Sequence, residues 1–453
     1  MIFLGIGMQI ALTLAGLFVA RAALTTARTP QGAAAWVVFL IAFPLLAIPA
    51  FALFSSVARS TSPKGAQEAE ATSAPAGARL DALTGIVGAR VTEGNAATLL
   101  IDGRETFDAI FAAIDGAERE VLVQFYIIRA DGTGEALRAR LTAAARRGVD
   151  VRVLCDVVGS IFLGFRYVRA LKAEGVRFQG IVAPHRALGR IGVNFRNHRK
   201  AVVVDGQIGF TGGINVGDEY IDGGARFDAW RDTHIRLEGP MVDQLRAIFA
   251  ADWAGLTGET LRPAAELPSK PEAPGPCQGL VAGFGATDAL ERGSLLLCGL
   301  VGLATRRLWI ATPYLVPHAD LATALKLVAL RGADVRILIP APSDNVLAWY
   351  ASRAAARDLV AAGIAVHAYR PGFMHSKVML IDDDVASIGT VNLDIRSALL
   401  NFEETALIEN RNFAARVEAM LAEDFARATP VEIPGPWHVR ALAPVARLFG
   451  PLL

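Results

Sequence analysis

A chain of 453 residues and 48.0 kDa has room for two or three domains of roughly 150 residues each. With 53% hydrophobic residues, 20% charged residues and a mean hydropathy of +0.38, it is too apolar for a disordered chain, and membrane segments are the first thing to seek. Lys plus Arg at 45 against Asp plus Glu at 44 leaves a net charge of +1, which excludes a uniformly basic nucleic-acid binder while leaving room for local basic patches.

From the N-terminus, Ile2 to Ala20 is an uncharged run, and Ala33 to Phe54 is a second. Each exceeds the roughly 18 residues that a spanning helix requires. The pair predicts a transmembrane helical hairpin over 1–56, with kinks at Pro44 and Pro49, which membrane helices tolerate. A cleaved signal peptide would carry a positive start, and no charge precedes Arg21. Buried core helices remain the other reading. Arg21 and Arg28 between the runs balance Arg59 and Lys64 after them, so the positive-inside count is a tie. A hairpin places the large C-terminal body on the same side as Met1. Residues 57–99 read as linker and lead-in, Ser60 to Gly77 being rich in Ser, Ala, Pro and Glu.

Beyond this the periodicity changes. Glu120 to Ile128 and Val149 to Cys155 are strand candidates, separated by an amphipathic helix over Gly134 to Arg147. Alternating strands and helices predict an α/β fold with a mostly parallel sheet covered on both faces. The passage recurs: Arg147-Gly-Val-Asp-Val-Arg-Val-Leu154 matches Arg331-Gly-Ala-Asp-Val-Arg-Ile-Leu338, and Leu308 to Tyr314 (LWIATPY) takes the place of EVLVQFY. A repeat this long is a domain unit rather than a solenoid period. The two domains are expected over 100–257 and 277–430, joined by a Pro-rich linker at 258–276 and followed by a tail at 431–453. Cys155, Cys277 and Cys298 offer neither a zinc spacing nor a disulfide framework.

Each half also carries one chemical match. His198-Arg-Lys200 is followed by Asp205, then Gly212-Gly-Ile-Asn215; His375-Ser-Lys377 is followed by Asp382, then Gly389-Thr-Val-Asn392. Both read His-x-Lys-x4-Asp, then Gly and Asn, in a chain with only seven histidines and six lysines. On a strand, residues two apart share a face, so each His lies beside its Lys, as a phosphate site needs. A neutral imidazole can attack phosphorus and a protonated one can donate to a leaving alkoxide. Lys200 and Lys377 would hold nonbridging oxygens, and the Gly-rich turns with Asn215 and Asn392 would add amide donors. The other histidines (His185, His234, His318, His367 and His438) lack such company and read as surface or satisfied core. No set of carboxylates has a metal-binding spacing. Between Gly175 and Val204 there is no acidic residue, but there are Arg177, Arg186, Arg190, Arg196, Arg199 and Lys200. This cluster reads as a site for anionic headgroups or as a solvated basic loop.

The paired His-Lys-Asp motifs resemble those of the phospholipase D superfamily. The apolar hairpin, Gly213 to Tyr220, Trp230-Arg-Asp232, Thr312-Pro-Tyr314, Asn392 to Ser397, Asn401-Phe-Glu403 and Arg447 to Leu453 are similar to segments of bacterial cardiolipin synthases. Gln124 and Phe125 depart from the residues usual in that family.

The resemblance implies two pseudo-repeated phospholipase-D-like domains behind a membrane hairpin. It implies a phosphatidyltransferase that joins two phosphatidylglycerol molecules into cardiolipin and releases glycerol through a phosphatidyl-histidine intermediate. No metal or other cofactor is called for. The expected partners are phosphatidylglycerol, other anionic phospholipids and the membrane, and no nucleic acid. The expected location is the plasma (inner) membrane, multi-pass, with the catalytic domains cytoplasmic. His198 is taken as the nucleophile. Asp232 and Glu403 are expected to fix the imidazole tautomers. Asp205 and Asp382 complete the motif sets and are expected to brace the motif strands. Two competing readings keep the sequence features: a phospholipase D-type hydrolase using water as acceptor, and an idle membrane scaffold, which intact motifs in both halves disfavour.

Overall fold

In the computed structural model, residues 2–26, 30–54, 78–181, 195–263, 266–267, 274–288, 290–433 and 435–450 are described, and the side chains of 2–10, 26, 30–31 and 52–54 are not. The expected linker Ser60–Gly77 lies outside the described residues, as do Arg28, Arg59, Lys64, His185, Arg186 and Arg190. The chain divides into two compact units, one of residues 1–62 with 182–196 and 287–289, the other of residues 63–181 with 197–286 and 290–453.

In the first unit, α1 (Ile2–Thr26) lies against α2 (Pro30–Ala42) and α3 (Pro44–Phe54). Small residues let the backbones approach: a Cβ on Gly16 would meet the Leu40 carbonyl at 2.4 Å, and Ala20 and Ala23 are buried with Leu40, Ala47 and Phe51. The second apolar run breaks between Ala42 and Pro44, whereas Pro49 sits inside α3. The missing N–H of Pro44 removes one rung while Phe43 N–H still reaches the Phe39 carbonyl at 2.9 Å. Leu14, Phe18, Leu24, Val38, Phe43, Leu45 and Leu46 are exposed apolar side chains. Among the described residues no helix is long and apolar enough to cross a membrane.

The second unit is built on one long sheet. Its strands are β1 (Thr92–Ile101), β2 (Glu120–Phe125), β3 (Asp150–Asp156), β4 (Arg177–Ile181), β5 (Ala201–Val204), β6 (Ile208–Gly212), β7 (Thr233–Glu238), β8 (Cys277–Phe284), β9 (Arg307–Ala311), β10 (Asp334–Pro340), β11 (Ala365–Tyr369), β12 (Val378–Ile381), β13 (Val385–Gly389), β14 (Asn401–Glu409) and β15 (Ala428–Pro430). They lie in the order β15-β11-β10-β9-β12-β13-β14-β8-β1-β7-β6-β5-β2-β3-β4. Apart from β15 this order is a palindrome about the β8–β1 pair. Each strand of the first half has its counterpart at the same distance on the other side, so the duplication read in the sequence is a duplication in space.

The expectation of a mostly parallel sheet is corrected. Within this sheet, parallel pairing holds across β2-β3-β4 and β9-β10-β11, and the other neighbours are antiparallel. The reason is connection length. Helical crossovers separate the parallel strands, but β5–β6 and β12–β13 are joined by turns too short for anything but a hairpin. Asp205 (φ 53°) and Asp382 (φ 51°) open those turns in the left-handed region.

Strand alternation fills two faces. Val121, Val123 and Phe125 join one core while Leu122 joins the other. On the outer face, α4 (Asp102–Asp115) and α5 (Gly132–Arg146) bury Phe107, Ile110, Ile114, Leu137, Leu141 and Ala144 at helical spacing. The second half does the same with Leu321, Leu325 and Val328. On the opposite face, Met241–Thr257 and Arg411–Ala426 bury Leu245, Phe249, Phe413 and Val417 in a core that takes side chains from both halves. The stretch read as lead-in to residue 99 is folded from residue 78 onward: Leu80, Leu83 and Val87 enter the second half's core. A boundary at 100 would cut β1, one of the two central strands, because β1 needs Thr233–Glu238 on one side and Cys277–Phe284 on the other to satisfy its backbone. The stretch read as a tail forms the helix Trp437–Arg447, which packs Val439 and Ala443 against Ala354.

Candidate active site

The two motif loops are each stitched into the other half. His198 N–H donates to the Phe402 carbonyl at 2.9 Å, and His375 N–H donates to the Arg231 carbonyl at 2.8 Å. The residues next to these acceptors carry the carboxylates. His198 Nδ1 lies 2.9 Å from Glu403 Oε2, and His375 Nδ1 lies 2.6 Å from Asp232 Oδ2. Each half therefore supplies the histidine of one pair and the carboxylate of the other. All four side chains are buried or nearly so. A carboxylate on Nδ1 fixes the proton there and leaves the Nε2 lone pair free for chemistry.

The carboxylates are themselves held. Glu403 accepts from Asn401 Nδ2 at 3.0 Å and from the Thr390 hydroxyl. Asp232 accepts from Thr233 N–H at 2.8 Å. At the position corresponding to Thr390 stands Gly213, where a Cβ would come within 2.0 Å of Asp232 Oδ1, so the first half needs glycine for space where the second uses a hydroxyl. Burial opposes ionisation of Asp232 and Glu403, yet His375 and Lys377 for the one, and His198 and Lys200 for the other, hold both below the usual carboxylate range.

Lys200 Nζ donates to the His198 carbonyl at 2.7 Å, and Lys377 Nζ makes the same bond to His375. His and Lys of each pair were expected on one strand face; each pair lies just ahead of its strand, not within it. Burial and the charge of Lys377 push Lys200 down to about 7; burial pushes Lys377 down to about 8, with Asp232 and Glu403 resisting. Burial likewise pushes His198 down to about 4, with Glu403 resisting and both lysines adding to the fall. Burial and Lys377 push His375 to about 3, with Lys200 contributing. Cations of one half thus act on histidines of the other, and all four groups share one field. Burial leads each of these shifts, and an anionic phosphodiester beside the lysines would favour the charged forms.

The remaining expected residues take other places. Asp205 accepts N–H bonds from Glu118, Arg119 and Glu120 at 2.7–2.9 Å. Asp382 accepts from the N–H groups of Thr305, Arg306 and Arg307, the Thr305 hydroxyl and Arg79. Both carboxylates clamp a hairpin turn to the start of a neighbouring strand, and neither contacts an imidazole. Asn215 Oδ1 accepts from Ile127 N–H at 3.1 Å, and its amide reaches the Tyr220 hydroxyl at 3.3 Å. Asn392 is buried with Oδ1 unpartnered among the described residues. Gln124 supports the loop from below, donating to Asn197 and Asp252 at 2.9 and 2.7 Å.

Of the basic cluster, Arg177 bonds Asp150 at 2.5 Å and buried Arg199 bonds Asp252 at 2.6 Å. Arg199 is therefore neither lipid-facing nor solvated, whereas Arg177 keeps an exposed side chain while bonding Asp150. His234 was expected to be surface or satisfied core; it is fully buried, and neither ring nitrogen has a partner among the described residues.

Sequence reasoning missed the rings lining the site. Tyr126 lies edge-on to His198 at 5.1 Å between centroids, and Trp230 and Tyr220 lie 5.1 and 6.4 Å from His375. A signal existed: Tyr126 and Tyr314 end the two copies of the repeated strand. Glu404 was also missed. It accepts from the Thr211 hydroxyl at 3.0 Å and from Lys200 N–H at 3.2 Å, and burial pushes it up to about 7.

Two copies of one α/β unit each lend a histidine to the other's carboxylate beside a buried lysine, an arrangement with the chemistry to act on a phosphodiester. A family model described as cardiolipin synthase, phospholipase D-like domain, matches residues 110–253 and 297–425. Cardiolipin synthase A of Pseudomonas putida is 41% identical, with 97% of this chain and 96% of the relative covered. Cardiolipin synthase A of Pseudomonas aeruginosa is 38% identical over 97% and 94%. In fold, the chain is similar to the crystal structure of phosphatidylserine synthase from Haemophilus influenzae, with a TM-score of 0.64 at 16% identity, covering 83% of this chain and 100% of that one. The chain belongs to the cardiolipin synthase family of the phospholipase D superfamily and is an enzyme of the phosphatidyltransferase type.

Proposed function

We propose that this enzyme makes cardiolipin from two phosphatidylglycerol molecules and releases glycerol. The observation that carries this is the crossed pairing, His198 with Glu403 and His375 with Asp232, around two buried lysines. His198 Nε2 attacks the phosphorus of the first lipid, and the bond to glycerol breaks. The alkoxide takes its proton from His375. The phosphatidyl-histidine is then attacked by a hydroxyl of a second phosphatidylglycerol, whose proton passes to His375, and cardiolipin leaves as His198 is regenerated. Both imidazoles are held neutral at neutral pH, which suits the nucleophile. The negative phosphodiester between Lys200 and Lys377 offsets their charge and lets His375 carry a proton while it acts as the acid. The lysines stabilise the charge that develops on the nonbridging oxygens.

Asp205 and Asp382 belong to this proposal as braces of the two motif turns. Asn215 and Asn392 belong to it as residues that shape the site walls. The two halves act as domains, the first running from β1 to about 257 and the second over about 277–430, with the segment from residue 78 to 91 packed on the second. The N-terminal unit serves as a transmembrane hairpin in the plasma (inner) membrane, with the catalytic body on the cytoplasmic side. Its support is the charge-free sequence of α1 from Ile2 to Ala20 and the exposed apolar side chains of α1 to α3. Such a tether keeps the site where lipid hydroxyls are concentrated and favours transfer over hydrolysis.

Purified enzyme with phosphatidylglycerol vesicles and excess chelator tests this reading. Cardiolipin and glycerol should appear together in equal amounts, and His198→Ala and His375→Ala should each reduce both by roughly a thousandfold or more. Phosphatidate in place of cardiolipin would make the enzyme a hydrolase. Full activity in either variant would refute the two-imidazole scheme.

A further inference from the structure

Between β3 and β4 the chain Val157–Ala173 (VVGSIFLGFRYVRALKA) projects its apolar side chains the wrong way for a core. Ile161, Phe162 and Phe165 are 67%, 80% and 74% exposed. They are not left out because the segment packs poorly. Leu163, Tyr167 and Leu171 of the same segment are buried at a spacing of four, and the Tyr167 hydroxyl donates to the Gly134 carbonyl at 2.7 Å.

The segment is tied rigidly beside His198. Asp156 accepts from Val158 and Gly159 N–H at 2.9 Å and from Asn197 N–H at 3.0 Å. Ser160 Oγ accepts from Ile128 N–H at 3.0 Å and donates to the Tyr126 carbonyl at 3.1 Å. Gly159 is required there, since a Cβ would lie 2.4 Å from that same carbonyl. Tyr126 in turn lies against the His198 ring.

Charge completes the pattern. Along the helix Phe165–Ala173, the exposed residues Phe165, Arg169 and Lys172 stand at i, i+4 and i+7, with exposed Arg166 adjoining. No acidic residue occurs from Val157 to Ala173. An apolar tip followed by a basic helix face fits a bilayer with anionic headgroups: rings at the acyl boundary, cations at the phosphates.

We propose that Val157–Ala173 is a bilayer-docking element. Ile161, Phe162 and Phe165 enter an anionic membrane surface, Arg166, Arg169 and Lys172 meet its phosphates, and the site beside His198 is thereby held against the lipid that supplies its substrate. The role in supply rests on the phosphatidyltransferase reading; the docking itself does not.

The test uses the full chain reconstituted in phosphatidylglycerol vesicles, with Cys298→Ser and a single reporter cysteine at Phe162→Cys carrying an environment-sensitive fluorophore. Cys155 and Cys277 are buried. Nitroxide-labelled lipid should quench this reporter and aqueous iodide should not, whereas a reporter at exposed Leu330→Cys should show the reverse. A shielded reporter that lipid nitroxide fails to quench would mean that protein, a second copy or another segment, covers this face, and would overturn the proposal; so would a reporter open to iodide. Substitution of Ile161, Phe162 and Phe165 together by Glu should lower turnover on vesicles roughly tenfold or more and leave turnover of a monomeric short-chain phosphatidylglycerol unchanged. Equal loss on both substrates, or loss on neither, would also overturn it. If the wild-type protein converts neither substrate while the Phe162→Cys reporter is quenched by lipid nitroxide, the functional reading alone is defeated.

Discussion

The two halves repeat one another in strand order and in their His, Lys and turn Asp, but the residues supporting those groups differ. At the His198 end, the residue inside the motif is Arg199, ion-paired to Asp252, and the residue after the paired carboxylate is the buried Glu404. At the His375 end the corresponding residues are Ser376 and Thr233, whose hydroxyls bond each other at 3.0 Å. At these two positions one end has charged groups and the other hydroxyls, although the Thr233 hydroxyl also accepts from Arg231, which is buried and paired with Asp424. The outer surfaces differ as well. After β10, the segment corresponding to the docking element is a short polar turn, Ala341 to Asn345, leading into a helix covered by Trp437–Arg447. The halves share the groups that would meet phosphorus, the turn Asp and the Gly and Asn that follow, while the residues beneath the motif and on the outer surface differ, as expected if the two imidazoles take opposite roles in one reaction.

The largest effects should come from uncoupling the crossed pairs. Asp232→Asn and Glu403→Gln each remove the charge that orients a histidine of the opposite half, and each should lower kcat by roughly a hundredfold or more. They should differ with an activated diester whose nitrophenolate leaving group needs no proton. If His198 attacks, Asp232→Asn still forms the covalent intermediate and shows a burst of nitrophenolate, and Glu403→Gln shows none. Rapid-quench measurement of that burst decides the matter. A burst from Glu403→Gln alone would assign attack to His375 and reverse the roles of the halves.

Smaller effects, on stability rather than turnover, should separate the two turn aspartates. Asp382 holds backbone N–H groups plus Thr305 and Arg79, whereas Asp205 holds three N–H groups. Asn adopts the left-handed turn conformation readily, so Asp382→Asn and Asp205→Asn test the bonds and not the turn. Denaturant titration should show a loss of about 2–4 kcal/mol for the first and less for the second, with turnover per folded molecule retained in both. Although burial opposes it, the N–H groups of Arg306, Arg307 and Thr305 hold Asp382 at about 2. Its contribution is therefore complete above the ordinary value of 3.8 and is lost as pH falls through about 2. Equal losses would mean that Arg79 and Thr305 add nothing to the clamp.

These comparisons also mark where sequence reasoning was sufficient. The duplicated His-Lys-Asp spacing carries its own geometry, because residues two apart on an extended chain share a face and the turn Asp follows the strand it clamps. The strand order could not be read that way: hairpins and crossovers both appear as apolar runs, and only connection length tells them apart. The resemblance singled out Asp232 and Glu403, but no local pattern in one half states that its carboxylate serves the other half's histidine. That exchange arises from β1 and β8 meeting at the centre of the sheet, a contact between strands nearly 200 residues apart. Tyr126 was legible in principle as the residue shared by both repeated strands. Glu404 was not, since it departs from its counterpart Thr233.

Glu404 offers the finest test of the comparison, because it is the buried charge that the other end replaces with a hydroxyl. Its carboxyl is raised from 4.5 to about 7 by burial, with Arg199 and Thr211 opposing. A group whose folded value lies above its unfolded one stabilises fully below the unfolded value and loses that contribution as pH rises through the folded value. The wild-type enzyme should therefore lose stability between about pH 4.5 and 7 on this account. Glu404→Gln keeps an oxygen for Thr211 and Lys200 N–H and cannot ionise, so that slope should vanish. Thermal unfolding in detergent should find the variant gaining on the wild type by on the order of 1–3 kcal/mol between pH 4.5 and 8. The Thr233 hydroxyl meets Ser376 and the Arg231 guanidinium, neither of which changes charge in this range, so Thr233→Val should shift stability by a constant amount over it. If Glu404→Gln instead lost stability as pH rose, the ionised carboxylate would be a needed partner of Lys200, and the His198 end would depend on buried charge as a functional element rather than as a tolerated one.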